Sequence, residues 1–435
     1  MTPADLEKAL AAAKAAAAFL RTASVEPKNR VLLAVARLLK ERENGILKAN
    51  AEDLARFDGA RKNDEKKEPE RLGPAFRDRL ALNPKRLAGM IESLKQVAAL
   101  ADPVGEVAET RTLENGLKLS RVRAPLGVIF LIFESRPNVA VEAFSLAFKA
   151  GNAVLLRGGK ESSATVAALY AILAEALAAE NFPRECVWGI TDPDRALVQT
   201  LLAQAKFIDV VIPRGGDALI EFVTEHSRIP VIKNDRGMCH VYVHEDADLE
   251  MAAKIVQNAK TQRPGVCNAM ETCLVHASVA ARFLPKLHAM ISSDGPAHPP
   301  VEWFADKAAA TALARLPRVR SATAKNWDTE YLDYKMNCRV VDSLDEALAH
   351  IGAHGSKHSE TIVTSSETSA RRFFAEVDAA AVYWNASTRF TDGFEFGLGG
   401  EIGISTQKLH VRGPVGLREL TSLKWIIEGK GQVRA

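Results

Sequence analysis

Gly127-Val128-Ile129-Phe130-Leu131-Ile132-Phe133, closed by Glu134-Ser135-Arg136-Pro137-Asn138, is the stretch that decides the fold. Its apolar residues run on without alternation, which describes a strand buried on both faces of a parallel sheet. A helical pattern over 139–150 follows, and Gly151-Asn152 then turns the chain into a second buried run at 153–156. Outward from there the reading gives a helix at 162–179, a strand at 187–190, a helix at 195–205 and a strand at 207–212. A helix at 217–225 and a short strand at 230–233 complete the series. Alternation of this kind predicts a doubly wound α/β sheet with right-handed crossovers.

Towards the N-terminus, residues 1 to about 100 read as helices. Among them, 28–48 carries one apolar face (Val31, Leu32, Val35, Leu38, Leu39, Ile46), and 82–100 has Pro84 in its first turn. The charged stretch 58–79 reads as an exposed loop or solvated helix ends. Strands at 105–110 and 117–123 join around Asn115-Gly116, a hairpin signal. Towards the C-terminus, a second α/β block opens at 238–243. It continues through a helix at 249–260, a strand at 272–276 and the elements 338–341, 345–351, 361–364, 367–375 and 381–385. A glycine-rich tail, 393–403, leads to a strand at 420–427 suited to adding onto another sheet.

With 435 residues, 47% of them hydrophobic and 26% charged, the chain has room for two or three cored domains. A net charge of +3 gives no polybasic signature, so neither nucleic acid nor a membrane surface is an expected partner. No apolar run of bilayer-spanning length is read, and residues 1–21 form a charged helix rather than a signal peptide. Five cysteines (Cys186, Cys239, Cys267, Cys273, Cys338) with no C-x-x-C spacing speak against a disulfide framework or a zinc site and for a reduced, cytoplasmic enzyme. The pairs His240/His244 and His354/His358 lack a third ligand nearby, so no metal is expected.

Three turns follow buried strands where a ligand crevice would open: 135–138, 157–160 and 214–216. Arg157-Gly158-Gly159-Lys160 and Arg214-Gly215-Gly216 combine glycines with cations, as a phosphate-bearing cofactor needs. A P-loop is excluded, because Val154 stands where its first glycine belongs; Gly397-x-Gly399-x-x-x-Gly403 misses the dinucleotide spacing by one residue. Arg157, a cation at a strand end, suits a 2′-phosphate and so favours NADP over NAD, against the alternative of a surface arginine. Cys267 sits on the turn Gln262-Arg263-Pro264-Gly265-Val266-Cys267-Asn268, between a helix and a strand. Free backbone N–H groups there favour a thiolate and an oxyanion, against the alternative of an inert buried thiol.

Three motifs carry a resemblance: Pro-Gly-Val-Cys-Asn-Ala around Cys267, Glu-Ser-Arg-Pro-Asn-Val around Asn138, and Phe-Glu-Phe-Gly-Leu-Gly-Gly-Glu-Ile-Gly-Ile-Ser-Thr at 394–406. Together they resemble the γ-glutamyl phosphate reductases of the aldehyde dehydrogenase superfamily, over nearly the whole of 28–429. The resemblance implies an aldehyde dehydrogenase-like α/β fold with three parts. These are an NADP-binding domain at 1–104 and 124–237, a catalytic domain at 238–392, and an oligomerisation element at 105–123 and 393–435. It implies NADPH-dependent reduction of L-glutamyl 5-phosphate to the 5-semialdehyde, with Cys267 forming a thioester and Asn138 holding the oxyanion. Arg157, Gly158, Lys160, Arg214, Gly215 and Gly216 are the cofactor candidates, and Arg136, Lys260 and Arg263 the substrate-contact candidates. A homo-oligomer and channelling from glutamate 5-kinase are the expected partnerships. Two alternatives stay open: an oxidising aldehyde dehydrogenase, whose water-activating glutamate is missing from 232–238, and a non-catalytic scaffold of the same fold.

Overall fold

All six residues of β3 (Val128–Phe133) are buried. This strand lies inside a four-stranded sheet with β4 (Ala153–Arg157), β5 (Val187–Ile190) and β6 (Val210–Arg214), in the order β5-β4-β3-β6 and parallel throughout. Helices Val139–Lys149, Ser163–Ala179 and Arg195–Leu202 make the crossovers. The structure, a computed structural model, describes residues 2–64, 74–134, 136–233, 236–293, 295, 298–314 and 316–434. It divides into two compact units, Met1–Asn234 with Gly397–Gly403 and Val415–Ala435, and Asp235–Phe396 with Ile404–Pro414. The tail expected to form one element with the hairpin is therefore shared between the units.

In the first unit the sheet begins at Gly127, whose φ of +126° suits only glycine and whose missing Cβ leaves room for Asp209. That carboxylate accepts from the Val128 N–H at 2.8 Å and pairs with Lys14 at 2.7 Å, tying helix Pro3–Leu20 to the sheet. The hairpin forms as read: β1 (Val107–Thr112) and β2 (Lys118–Pro125) flank Gly116, at φ +83°. The chain's last strand, β16 (Thr421–Glu428), pairs antiparallel with β2. Asn152 links it to the core, accepting from Gly127 N–H at 2.9 Å and donating to the Leu420 carbonyl at 3.0 Å.

Several boundaries differ from the sequence reading. The helix read across 28–48 breaks at Arg42 into Val25–Glu41 and Glu43–Asp64, yet keeps its apolar residues buried. The strand read at 207–212 starts at Val210, because Phe207 and Ile208 N–H groups close a turn on Gln204 O. Residues 230–233 give one isolated bridge, Val211↔Val231, where Pro230 has no N–H to donate. Lys160–Ala179 is long and apolar enough by length and composition to cross a bilayer, a stretch the sequence reading passed over; its helix packs Val166, Leu169, Ile172, Leu173 and Leu177 into the first unit's core. Part of the charged stretch 58–79, Ser135, and Asn234 with Asp235 lie outside the described residues.

The second unit is a seven-stranded parallel sheet. In chain order its strands are β7 (Cys239–Val243), β8 (Met270–His276), β9 (Glu302–Ala305), β10 (Val319–Ser321), β11 (Lys335–Val341), β12 (Ser359–Val363) and β13 (Ala381–Trp384). They are arranged β10-β9-β11-β8-β7-β12-β13. Residues 277–334, left unassigned by the sequence reading, supply helix Ala277–Ile291 and the short outer strands β9 and β10. Phe283, Leu284, Leu287 and Trp303 from this segment fill the core with Val241 and Val256.

Candidate active site

Helix Leu249–Thr261 ends at Gln262, and β8 begins at Met270. Cys267 therefore sits just before the amino end of its strand. The strands around it present the same amino edge, with Gly237 and Cys239 at the start of β7, His358 and Ser359 at the start of β12, and Leu332 before β11, while Thr388, Arg389 and Thr391 come from the loop after β13. The first unit's three turns sit instead at carboxyl ends, as expected of an open α/β sheet.

Cys267 is half-buried, and the other four cysteines are buried. Burial pushes the Cys186 thiol up to about 12 and raises those of Cys239, Cys273 and Cys338 as well, which leaves them protonated and inert. Cys239 Sγ donates to the Cys267 carbonyl at 3.2 Å and lies 3.7 Å from His358 Nδ1. Gly237 packs on the same carbonyl so closely that a Cβ there would stand 1.6 Å from its oxygen. The Gly237 N–H donates to Glu330 Oε1 at 2.9 Å, so a carboxylate does reach the segment that carries no glutamate of its own.

Lys260, one of the substrate-contact candidates, turns into the protein. Its ammonium is fully buried and pairs at 2.9 Å with Glu271, itself buried. One residue lies in the last turn before the cysteine turn and the other in the strand after it, so the pair joins the two ends of the segment holding Cys267. Burial pushes the Glu271 carboxyl up to about 7 against the pull of Lys260. The second Glu271 oxygen accepts from the Leu332 N–H at 3.2 Å, with Leu332 held at φ +51°.

Arg389, which the sequence reading missed, lies across the same turn. The Thr388 hydroxyl donates to Asn268 O at 2.7 Å, and Asn268 Nδ2 donates to the Arg389 and Thr391 carbonyls at 3.3 and 2.8 Å. Arg389 Nε donates to Gln262 Oε1 at 2.9 Å. Burial and then the charge of Arg263 lower the Arg389 guanidinium from its ordinary value, against the pull of Asp392, Cys267 and Cys239. Among the described residues neither Arg263 nor Arg389 has a carboxylate within ion-pair distance.

In the first unit, Gly158 and Lys160 line a cavity of about 270 Å³ with Gly159, Arg56, Ser163 and Pro193. A Cβ on Gly158 would crowd Phe133 and Val166 at 3.2–3.3 Å. Arg157 reaches Pro193 O through Nη2 at 3.0 Å, while its Nε is buried with no hydrogen-bond partner among the described residues. Arg214, Gly215 and Gly216 do not line this cavity; the Gly216 N–H donates to Glu134 at 3.0 Å, so a side-chain carboxylate already caps that turn. Asn138 opens helix Val139–Lys149, its Nδ2 donating to Glu142 Oε1 at 2.8 Å, and Arg136 beside it is half-buried. Arg56, in a region read only as helical, and Gly237 and Glu271 join Arg389 as residues that sequence reasoning missed. None stands in a motif, and only the three-dimensional crossing of elements brings them in.

A profile of the aldehyde dehydrogenase family matches residues 79–315. Gamma-glutamyl phosphate reductase of Moorella thermoacetica is 50% identical over 422 residues, 97% of each chain. The enzyme of the same name from Shigella flexneri serotype 5b is 47% identical over 431 residues, 99% of this chain and 100% of the other. Among solved structures, gamma-glutamyl phosphate reductase from Thermotoga maritima is similar with a TM-score of 0.90 and 42% identity, covering 99% of this chain and 100% of that one.

Proposed function

Since the chain belongs to the γ-glutamyl phosphate reductases of the aldehyde dehydrogenase family, we infer that it reduces L-glutamyl 5-phosphate to L-glutamate 5-semialdehyde with release of phosphate, a step of proline biosynthesis. The observation that carries the reading is Cys267, half-buried on its turn while every other thiol is buried. Its sulfur attacks the acyl carbon, the carbon–oxygen bond to phosphate breaks, and a thioester remains on the protein. NADPH held at the first unit's cavity would supply the hydride that takes the thioester to the aldehyde level. The thiolate then leaves and is regenerated. The Cys267 N–H and the Asn138 amide are the proposed oxyanion donors, each a term on the order of 3 kcal/mol. Asn138 Nδ2 donates one of its two N–H groups to Glu142, and the second is the one this role would use.

NADPH as the cofactor is supported by the residues of the 270 Å³ cavity. The Lys160 ammonium and the Arg157 Nε, which has no hydrogen-bond partner among the described residues, suit a phosphorylated ribose; Arg56 in the same lining is paired with Asp53, and Asp192 also lines it. Part of the same proposal are the first unit's sheet as the cofactor domain, the β1-β2-β16 sheet as an oligomerisation element, a cytoplasmic site of action, and transfer of the unstable acyl phosphate from glutamate 5-kinase. An acyl phosphate needs no water-activating base, and the oxidising alternative is not favoured by full-length relatives that are named reductases.

Cys267→Ala tests the reading in the reverse direction, with semialdehyde, phosphate and NADP⁺. The variant should lose all turnover and still bind NADPH, seen as nucleotide fluorescence. Undiminished turnover would remove Cys267 from the chemistry.

A further inference from the structure

Taking Cys267 as the nucleophile, we propose that Arg389, with Arg263, forms the anion cradle that receives the phosphoryl group of the acyl phosphate. Position argues first. Arg389 is laced to the residue after the nucleophile through Asn268, and its side chain reaches Gln262, five residues before it, so its guanidinium lies over the turn. Charge argues second. Arg389 is a half-buried cation that feels the charge of Arg263 more than the opposing charge of Asp392, and among the described residues no carboxylate lies within ion-pair distance of either arginine. An anion brought between them relieves that repulsion. Lys260, another cation near this turn, is fully buried and already hydrogen-bonded to Glu271, so it is not presented to a substrate anion.

The chemistry calls for such a pair. As the bond from Cys267 Sγ to the acyl carbon forms and the carbon–oxygen bond breaks, the electron pair of the broken bond moves onto the departing phosphate oxygen. A planar guanidinium offers two parallel N–H donors to phosphate, and its Nε is already fixed by Gln262, so the remaining donors are pre-oriented. In the reverse direction the same cradle holds inorganic phosphate for its attack on the thioester.

The test uses Arg389→Gln, Arg389→Lys and Arg263→Gln in the full chain, with two readouts. In the reverse assay, the KM for phosphate should rise on the order of tenfold or more in Arg389→Gln, less in Arg389→Lys, while the KM for NADP⁺ stays within about twofold. Independently of turnover, phosphate should slow iodoacetamide alkylation of Cys267 in the wild type and lose that protection in Arg389→Gln. Arg263, exposed on its turn, gives a variant whose folding is not at stake, and its phosphate KM should rise in the same sense. An unchanged phosphate KM with a raised semialdehyde KM would assign the cradle to the substrate's carboxylate and overturn the proposal. A wild type whose turnover does not depend on phosphate would instead overturn the reductase reading beneath it.

Discussion

Where a side chain of residue 237 would begin, the Cys267 carbonyl oxygen already stands. Any Cβ must push that carbonyl away, and with it the N–H and sulfur of the same residue. A displacement of about 1 Å at a reacting group costs on the order of a hundredfold in rate. Gly237→Ala should therefore lower kcat by about that factor while cofactor binding, measured by fluorescence titration, is kept; normal kcat would show that the turn absorbs the methyl group. At this scale the sequence was informative for Cys267, because a cysteine between Pro-Gly and a strand has a local signature. It was silent on Gly237 and Arg389, which act through contacts made across more than twenty residues of chain. It misled on Lys260. A lysine in the last helical turn reads as an exposed cation, and only a glutamate across the turn turns it inward.

That helix, turn and strand form one element closed by the Lys260–Glu271 pair. Its energetics depend on pH in a definite direction. The Glu271 carboxyl titrates near 7 in the folded chain and near its ordinary 4.5 when unfolded. Between these values the folded state holds the extra proton, so this group's contribution is fully present below 4.5 and is lost as pH rises through 7. Stability of the wild type relative to Glu271→Gln should accordingly fall between pH 5 and pH 8 in denaturant titrations. A difference that stays flat across that range would mean the carboxyl keeps an ordinary value. Elements of this kind were legible where hydrophobic runs were long, as in β3 and β4. They were not legible at 277–334, where Pro285 stands inside the helix and strands β9 and β10 have four and three residues. Strands so short leave too little alternation to read.

For the whole molecule, two α/β sheets were expected and two are found, with the first placing its turns at carboxyl ends as the rule for open sheets says. The second unit gathers its residues at the opposite edge, which no local pattern signals: edge choice depends on where the loop after β13 folds back to meet Asn268. The β1-β2-β16 sheet leaves Trp425, Ile426 and Ile427 partly exposed, with Arg111 and Arg121 over the Trp425 ring at 5.6 and 5.4 Å. If this sheet joins subunits, ending the chain before Thr421 should shift its mass in light scattering to a smaller species. Retention of the full-length mass would move the contact elsewhere.

The ties from Asn152 to Gly127 and Leu420 reach from the middle of the gene product to its final strand. During synthesis the first unit emerges early but waits for its closing strand until Thr421–Glu428 has left the ribosome. The second unit, encoded almost without interruption, is free to condense beforehand. Released chains ending before residue 421 should thus present a protease-sensitive front half and a guarded rear half, an inversion of the usual vectorial order. A fusion that delays release of the C-terminus would lengthen that exposure.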